Sequence, residues 1–288
     1  MTARERQARR RGWLLLAPAL TVLAALTVVP ALWVVWLSLQ ERIPIFGIAR
    51  FTGLTHYVFL AGDSRFLEAV TTTAIFALGS VALETVGGVA VAVAIAGLLR
   101  GRRVAISLLL LPWAMPAVVT ARMFEWLYHP TAGLVNYLLG GAAINWLGDA
   151  HLALPAVILA DAWRTMPFVA LLAYARLLGI PPELYEAAQV DGAGRVATFT
   201  RITLPLLGHV LAIAVLFRTL DAVRAFDLMF VLTGGGPANT TETLTLYAYR
   251  GLFQMLQFGF GSAIGVIVFA AVMALTWLYL RRLRLETP

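Results

Sequence analysis

Four charged side chains alternate in sign within one apolar stretch, in the run "FRTLDAVRAFD". They are Arg218, Asp221, Arg224 and Asp227, each three residues after the one before. Carboxylates and guanidinium groups form paired hydrogen bonds, so this set could bind neighbouring hydroxyl groups of a polar solute. The same spacing also suits a ladder of ion pairs within and between helices. Both interpretations stay open from the residues alone.

The alternating charges need protein or water around them, because the surrounding residues are apolar. An ionised side chain at the centre of a bilayer costs about 3 kcal/mol or more. A step of three residues offsets successive members by about 60° around a helix of 3.6 residues per turn. We therefore predict one cavity-facing side that consists of Arg218, Asp221, Ala222 and Ala225. By the same geometry, Arg218 and Asp227 should not both face one cavity wall.

The composition indicates that helices crossing a membrane position these charges. The 288 residues are 60% hydrophobic and 13% charged, with a mean hydropathy of +0.83. A soluble domain has about a quarter charged residues. The apolar runs reach the roughly 20 residues that span a bilayer as a helix, and they lack the alternation of a transmembrane barrel. The predicted fold class is all-α, a polytopic transmembrane helical bundle, because helices satisfy their backbone hydrogen bonds in lipid.

Six apolar stretches are predicted to span the membrane, at about residues 13–39, 67–98, 104–127, 152–176, 206–232 and 259–280. The first is too long for the roughly 7–15-residue core of a signal peptide, so we expect an uncleaved span. All 22 basic residues are arginine, and most lie in segments that share a side with the N-terminus. The positive-inside rule then predicts cytoplasmic termini. Residues 1–12 form a basic cytoplasmic segment, and residues 13–284 form one membrane domain.

Several kinds of site are disfavoured by what the sequence contains. There is no cysteine. The histidines, which are His56, His129, His151 and His209, have no metal-site spacing. No cofactor is expected. No GxxxxGK[ST] motif occurs, so this chain should not bind ATP itself. The arginines cluster near helix ends, which indicates topology rather than nucleic-acid binding.

The run "EAAQVDGAGRVATFTRITLP", residues 186–205, is a polar segment between the fourth and fifth spans. Just before this run, a Pro-Pro pair followed by Glu183 favours the start of a helix. Gly192 and Gly194 then permit a stop and a sharp turn. The predicted result is a short helix within about 181–204 on the cytoplasmic face, followed by a span that begins at Pro205. Its shape suits a groove on a partner protein.

The spacing of fixed residues in this segment resembles the signature of permease subunits of bacterial ABC importers. The matching residues are Glu186, Ala187, Ala188, Gly192, Ile202, Leu204 and Pro205. The runs "FTGLTHYVFL", "LPWAMPAVVTARMFEWLYHPTAGLVNYLL" and "FDLMFVLTGGGPANTTETL" are similar to the carbohydrate-uptake branch, in particular to its maltose/trehalose-type first permease subunit. The resemblance covers most of residues 13–284.

The resemblance implies a type I ABC importer permease fold and a non-catalytic subunit in the plasma membrane of a bacterium or archaeon. The implied partners are a second homologous permease, two cytoplasmic ATPase subunits that hydrolyse ATP, and an external sugar-binding protein. Trehalose or maltose is the favoured solute. Glycerol phosphate is the main alternative, because Arg218 and Arg224 could hold a phosphate.

The resemblance also implies roles for individual residues. Residues that would couple the chain to the ATPase are Glu186, Ala187, Ala188, Asp191, Gly192 and Arg195. Residues 163–168 correspond in position to a substrate-contacting stretch of the family, although several identities differ. The resulting set of substrate-contact candidates is Trp163, Arg164, Thr165, Phe168, Arg218, Asp221, Ala222, Arg224 and Ala225. Packing is the alternative for the two aromatic residues, and structural ion pairing is the alternative for the charged ones.

Other polar features have simpler expected roles. Glu84 should pack against a polar partner inside the bundle, and Arg122 should pair with Glu125. The glycine-rich run 234–237 could contact the binding protein. Two other functional classes remain as alternatives: an ion-coupled secondary transporter, which often shows inverted repeats, and a membrane enzyme with aspartates as acids. Neither explains residues 186–205, and no inverted repeat, nucleophile or metal set is recognisable.

Overall fold

The computed structural model describes Trp13 and residues 15–285, with side chains as far as Arg281. The predicted cytoplasmic segment 1–12 lies outside the described residues. The described chain is mostly helical, and its helices are α1 (Leu15–Ser38), α2 (Thr55–Gly62), α3 (Ser64–Ala96), α4 (Arg102–Ala114), α5 (Ala117–Leu127), α6 (Leu134–Leu138), α7 (Ala153–Leu178), α8 (Pro182–Val190), α9 (Arg195–Val223), α10 (Asp227–Leu232), α11 (Leu244–Tyr249) and α12 (Phe258–Leu285). Short π-helical turns interrupt α1 at Ala24–Val28 and α9 at Phe199–Thr203, and another, Arg250–Gln254, follows α11.

The chain divides into two compact units. The first consists of residues up to Asp63 together with Ala248–Ile267. It contains an antiparallel hairpin that the all-α prediction did not include, with strands β1 (Gln40–Ile43) and β2 (Ile48–Phe51). The turn between them is possible because Gly47 adopts a left-handed conformation, at φ +64°.

The second unit, Ser64–Tyr247 with the residues from Val268 onward, has α3, α7 and α9 at its centre. Its buried apolar cluster contains small and branched side chains from all three helices: Val89, Ala92, Val169, Ala173, Leu207, Leu211 and Ala214. Small residues let helix backbones approach closely, which is the usual packing of helices in membranes. Gly88 marks such an approach, because a Cβ atom there would lie 2.8 Å from Val169 Cβ.

Gly88→Ala should therefore destabilise the packing of α3 against α7. The added methyl group would also lie 3.0 Å from the backbone nitrogen of Ala170, which cannot rotate away. Overpacking of this kind costs about 1–3 kcal/mol. The matched control is Gly208→Ala in α9, where the methyl group would meet no atom within 4 Å. Thermal unfolding of the purified protein should show a lower midpoint for Gly88→Ala only; equal midpoints would contradict the close approach.

Among the described residues, five helices are long and apolar enough to cross a membrane. They are Leu15–Ser38, Ser64–Ala96, Ala153–Leu178, Arg195–Val223 and Phe258–Arg281. The bent pair α4 and α5 makes a sixth if it counts as one span. The all-α, six-span bundle predicted from the sequence is consistent with these helices.

The structure divides one predicted span and corrects the bounds of another. The third consists of two helices, because α4 and α5 meet at an angle of 97°. Pro116 causes this break, since it lacks an N–H group and favours an extended Met115, whose ψ is 133°. The fifth does not begin at Pro205, because α9 runs through it from Arg195 by way of the π-helical turn, and it ends at Val223 rather than near residue 232.

Candidate functional site

A buried network of charged side chains joins the three central helices, with Arg218 of α9 in its middle. Arg218 Nε lies 2.5 Å from Glu84 Oε2 and Nη2 lies 2.9 Å from Glu84 Oε1, where Glu84 belongs to α3. Nη2 also donates to Asp161 Oδ2 of α7 at 3.2 Å, and Nη1 donates to Asp221 Oδ2 at 2.6 Å. Arg218 is 5% exposed and Glu84 is fully buried. The expectation that Glu84 packs against a polar partner is confirmed.

Neighbouring residues of α7 complete the hydrogen bonding of this network. Arg164 Nη2 donates to Asp161 Oδ1 at 3.0 Å. The hydroxyl oxygen of Thr165 lies 2.7 Å from Glu84 Oε1 and 2.6 Å from the carbonyl oxygen of Asp161. Buried ions are tolerated only when their charges are paired and their remaining hydrogen-bonding capacity is used. The buried carboxylates of Glu84 and Asp161 meet both conditions, because each accepts from more than one donor, whereas the buried Nε of Arg164 has no hydrogen-bond partner.

One side of the network opens into a cavity of about 120 Å³, which we call the charged cavity. The break between α9 and α10 forms part of its wall, next to α7 and the first residue of α5. The lining residues are Ala117, Asp161, Arg164, Arg218, Asp221, Ala222, Arg224, Ala225, Phe226, Asp227 and Leu228. Asp221 is the most open member of the ion-pair network, with 57% of its side chain exposed.

The charged cavity contains most, but not all, of the predicted substrate contacts. Residues from that set that line it are Arg164, Arg218, Asp221, Ala222, Arg224 and Ala225. Trp163 instead packs edge-on against Phe124, with ring centroids 5.5 Å apart. Phe168 lies beside Trp113 at 6.3 Å. Thr165 is buried against Glu84.

Arg218 and Asp227, which were not expected to face one cavity wall, both line this cavity. The geometric argument assumed a single continuous helix. In the structure α9 ends at Val223 and α10 begins at Asp227, so the angular offsets of one helix do not carry over from the first charge to the second. Sequence analysis also did not place Asp161 at the site, although it lies three residues before Arg164, a spacing that favours ion pairing.

Residues 186–205 form a helix, a turn and the first part of α9. Helix α8 ends at Val190, and Gly192 then adopts φ +72°. The turn is closed by hydrogen bonds from Ala193 N to the carbonyl oxygen of Ala188 at 2.8 Å and from Gly192 N to that of Gln189 at 3.1 Å. This is the pattern of a glycine-terminated helix.

The predicted ATPase-coupling residues fall mostly on the open surface of this helix and turn. Exposed members are Glu186, Ala187, Asp191, Gly192 and Arg195. Ala188 is 7% exposed and faces the protein. On that side, Tyr185 Oη lies 3.3 Å from Thr203 Oγ1. Helix α8 is therefore attached to the start of α9, and its outward surface combines charged residues such as Glu186 with exposed apolar ones such as Val190.

The expected ion pair of Arg122 with Glu125 is confirmed by a distance of 2.6 Å between Nη1 and Oε2. No group of three or more potential metal ligands occurs among the described residues. The glycine-rich run 234–237 lies in a connection between α10 and α11, and three consecutive residues that follow it, Thr241, Glu242 and Thr243, are at most 1% exposed.

Comparisons with known proteins identify the class of membrane protein to which this chain belongs. No model of a protein family matches it. The trehalose/maltose transport system permease protein MalF of Thermococcus litoralis is 38% identical over 273 residues, which cover 94% of this chain and 92% of that protein. The sulfoquinovosyl glycerol transport system permease protein SmoG of Agrobacterium fabrum is 37% identical, with 94% and 89% covered. The trehalose transport system permease protein SugA of Mycobacterium tuberculosis is 33% identical, with 97% and 91% covered.

Solved structures show the same fold. A bacterial ABC transporter involved in the import of the acidic polysaccharide alginate has a chain that superposes with a TM-score of 0.83 at 23% identity, covering 99% of this chain and all of that one. The MetNI methionine ABC transporter gives a TM-score of 0.54 at 18% identity. With the identity to curated relatives along nearly the whole chain, these matches confirm the resemblance seen in the sequence. The chain is a multi-pass membrane protein that belongs to the family of ABC transporter permease subunits, in its sugar-transport branch.

Proposed function

We propose that this chain is the permease subunit of an ATP-driven, binding-protein-dependent importer of a neutral sugar, and that the charged cavity is part of its translocation path. The observation that carries the proposal is the position of the cavity, at a helix break beside three membrane-spanning helices. Discontinuous helices frequently form solute sites in transporters, because the break frees backbone and polar groups within the membrane. The solutes in the names of the relatives are trehalose and maltose, which are neutral, and sulfoquinovosyl glycerol, which carries a sulfonate.

The side chains of the cavity suit hydroxyl groups. Asp221 and Asp227 offer carboxylate oxygens that accept hydrogen bonds, and Arg224 offers a guanidinium group that donates them. Arg224 Nε donates to the carbonyl oxygen of Leu220 at 3.0 Å, which fixes the direction of its side chain. A sugar with neighbouring hydroxyls can bind both kinds of group at once, which supports the sugar assignment over the proton relay of a secondary transporter.

The charge balance favours a neutral solute over glycerol phosphate. Arg218 cannot be the phosphate ligand that the sequence suggested, because Glu84, Asp161 and Asp221 already accept its hydrogen bonds. The carboxylates of the network and cavity outnumber the guanidinium groups of Arg164, Arg218 and Arg224. An anion would therefore enter a region of excess negative charge. A trehalose- or maltose-type disaccharide meets no such barrier.

The size of the cavity supports a second permease subunit. At about 120 Å³ it is smaller than the roughly 300 Å³ or more of typical small-molecule sites. A disaccharide would need a second wall, which a homologous permease facing this one would supply.

We further propose an external sugar-binding protein and two cytoplasmic ATPase subunits as partners. ATP hydrolysis would take place in those subunits, and this chain would be non-catalytic.

The orientation that fits these partners has both termini in the cytoplasm, as the arginine distribution indicates. Residues 1–12 would then be a cytoplasmic segment and residues 13–284 the permease domain. Residues Glu186, Ala187, Ala188, Asp191, Gly192 and Arg195 would dock on an ATPase. Trp163, Thr165 and Phe168 remain predicted substrate contacts; of these, Trp163 has the most exposed side chain, and it could stack on a sugar ring from the edge of the path.

Asp221→Asn should lower sugar uptake at least about tenfold, because it removes an open carboxylate from the cavity. Arg218 keeps Glu84 and Asp161 as partners, so the complex should still assemble, melt normally and hydrolyse ATP at its basal rate. The control is Glu125→Gln, which neutralises another partly exposed carboxylate in an i,i+3 pair with arginine. Uptake, basal hydrolysis and melting should be measured on the same reconstituted preparations. A folded Asp221→Asn complex with unchanged uptake would remove this residue from the path.

A further inference from the structure

The carbonyl oxygen of Ala225 lies at the break between α9 and α10 and accepts two hydrogen bonds from a distant segment. Thr245 Oγ1 donates to it at 2.6 Å, and Thr243 Oγ1 lies at 3.2 Å. The α-helical bonding of α10 starts one residue later, where Phe230 N donates to the carbonyl oxygen of Phe226. Two threonine hydroxyls thus bind a backbone group in the wall of the charged cavity.

The segment that carries these hydroxyls is itself firmly attached to α3. Glu242, next to Thr243, accepts two hydrogen bonds from Arg65, at 2.7 and 2.9 Å. Leu244 N donates to Thr73 Oγ1 at 2.9 Å. Arg65 and Thr73 both belong to α3, the helix that also contributes Glu84 to the buried network. The two hydroxyls therefore connect the cavity wall to a fixed point on a central helix.

The same segment continues into the connection formed by residues 233–243. Thr241 Oγ1 lies 2.7 Å from Thr233 Oγ1 and donates to the carbonyl oxygen of Gly236 at 2.8 Å. Asn239 and Thr240 of this connection line a second cavity, of about 420 Å³, together with Glu68 of α3. The chain thus runs from that cavity, through residues held by these hydrogen bonds, to the two threonines that bind the Ala225 carbonyl.

We propose that Thr243 and Thr245 are positioning residues for transport. Their hydroxyls hold the Ala225 carbonyl, and so fix the Arg224–Asp227 side of the charged cavity at the distance from α3 at which it binds solute. This inference rests on the proposed function of the cavity. The side-chain shape of threonine is not sufficient for the role, because valine fills the same space but cannot donate a hydrogen bond.

The test is the double variant T243V/T245V in the full transporter complex. The half-saturating sugar concentration for uptake should rise roughly three- to tenfold, because the wall no longer has a fixed position and fewer molecules present the binding geometry. Maximal uptake and basal ATP hydrolysis should stay near wild-type values, whereas the melting temperature should fall, because the Ala225 carbonyl and the backbone N–H of Leu246 lose hydrogen-bond partners. T243S/T245S, which restores the hydroxyls, should return half-saturation to the wild-type value. The control T276V removes a hydroxyl that donates only within its own helix, to the carbonyl oxygen of Val272 at 2.8 Å.

A T243V/T245V complex with wild-type half-saturation would overturn the proposal, and so would an equal shift in the serine variant, which would show that shape rather than hydrogen bonding matters. If the double variant does not assemble, T245V alone provides the same test through the shorter of the two bonds. A wild-type complex that imports no sugar would instead refute the proposed function, so the two failures are distinguishable.

Discussion

Arg218→Met should prevent the accumulation of folded protein and abolish transport. Methionine is about as long as the aliphatic part of arginine, so the space stays filled. Glu84 and Asp161, however, remain buried without the positive charge they share. Removing one partner from a buried ion pair costs about 3–5 kcal/mol. Native proteins have only about 5–15 kcal/mol of stability, so a loss of this size is severe.

Arg224→Met is the matched control, because it removes the same group from the same cavity wall. Arg224 is exposed, and its guanidinium Nε donates to a backbone carbonyl rather than to a buried acid. Its replacement should leave membrane yield and melting near wild type. The expected difference between the two variants therefore reports burial and pairing, and not the loss of an arginine as such.

Neutralising the stranded acid should recover part of what Arg218→Met loses. The double variant Glu84→Gln/Arg218→Met no longer buries the Glu84 charge, so its yield and melting temperature should exceed those of Arg218→Met alone. Residues in one buried network deviate from additivity by about 0.5–3 kcal/mol. An Arg218→Met protein with wild-type yield and melting would show that the network does not stabilise the fold.

The sequence predicted individual members of this network but not their pairing. Glu84 and Arg218 each stood out as charges in apolar stretches, and each required a partner for that reason. They are 134 residues apart in the chain, however, and no local pattern relates them. The contact depends on how closely α3 and α9 pack against α7, which the glycine and alanine positions permit but do not specify.

The break after Val223 could not be predicted from the local sequence either. No glycine or proline marks it, and the apolar residues of α10 continue the pattern of a span, so the fifth span was extended to about residue 232. The structure shows what compensates for the break: threonines from a later segment bind the Ala225 carbonyl, which a continuous helix would otherwise have satisfied. By contrast, the short helix and the turn at Gly192 were predictable, because their signals are local.

Gly192→Val should uncouple transport from ATP hydrolysis while leaving the protein inserted in the membrane. Gly192 adopts φ +72°, a conformation that costs a residue with a Cβ atom about 1–2 kcal/mol and a β-branched one more. A Cβ there would meet no atom within 4 Å, so the penalty comes from the backbone and not from a clash. The turn should open, and the exposed surface that includes Glu186 and Arg195 should lose its geometry.

Gly194→Val separates the conformation of this turn from simple bulk. Gly194 is also exposed and free of nearby atoms, but its φ of −71° and ψ of 165° suit any residue. If the turn itself positions the docking surface, only Gly192→Val should reduce co-purification of the ATPase subunits and sugar-stimulated hydrolysis. If the surface at this point touches the ATPase directly, both variants should reduce them.

Glu186→Lys, which reverses an exposed charge without altering the backbone, should weaken docking in either case. Normal ATPase co-purification and normal stimulated hydrolysis in all three variants would remove the coupling role from residues 186–205, because both the shape and the charge of the segment would then have been changed without consequence.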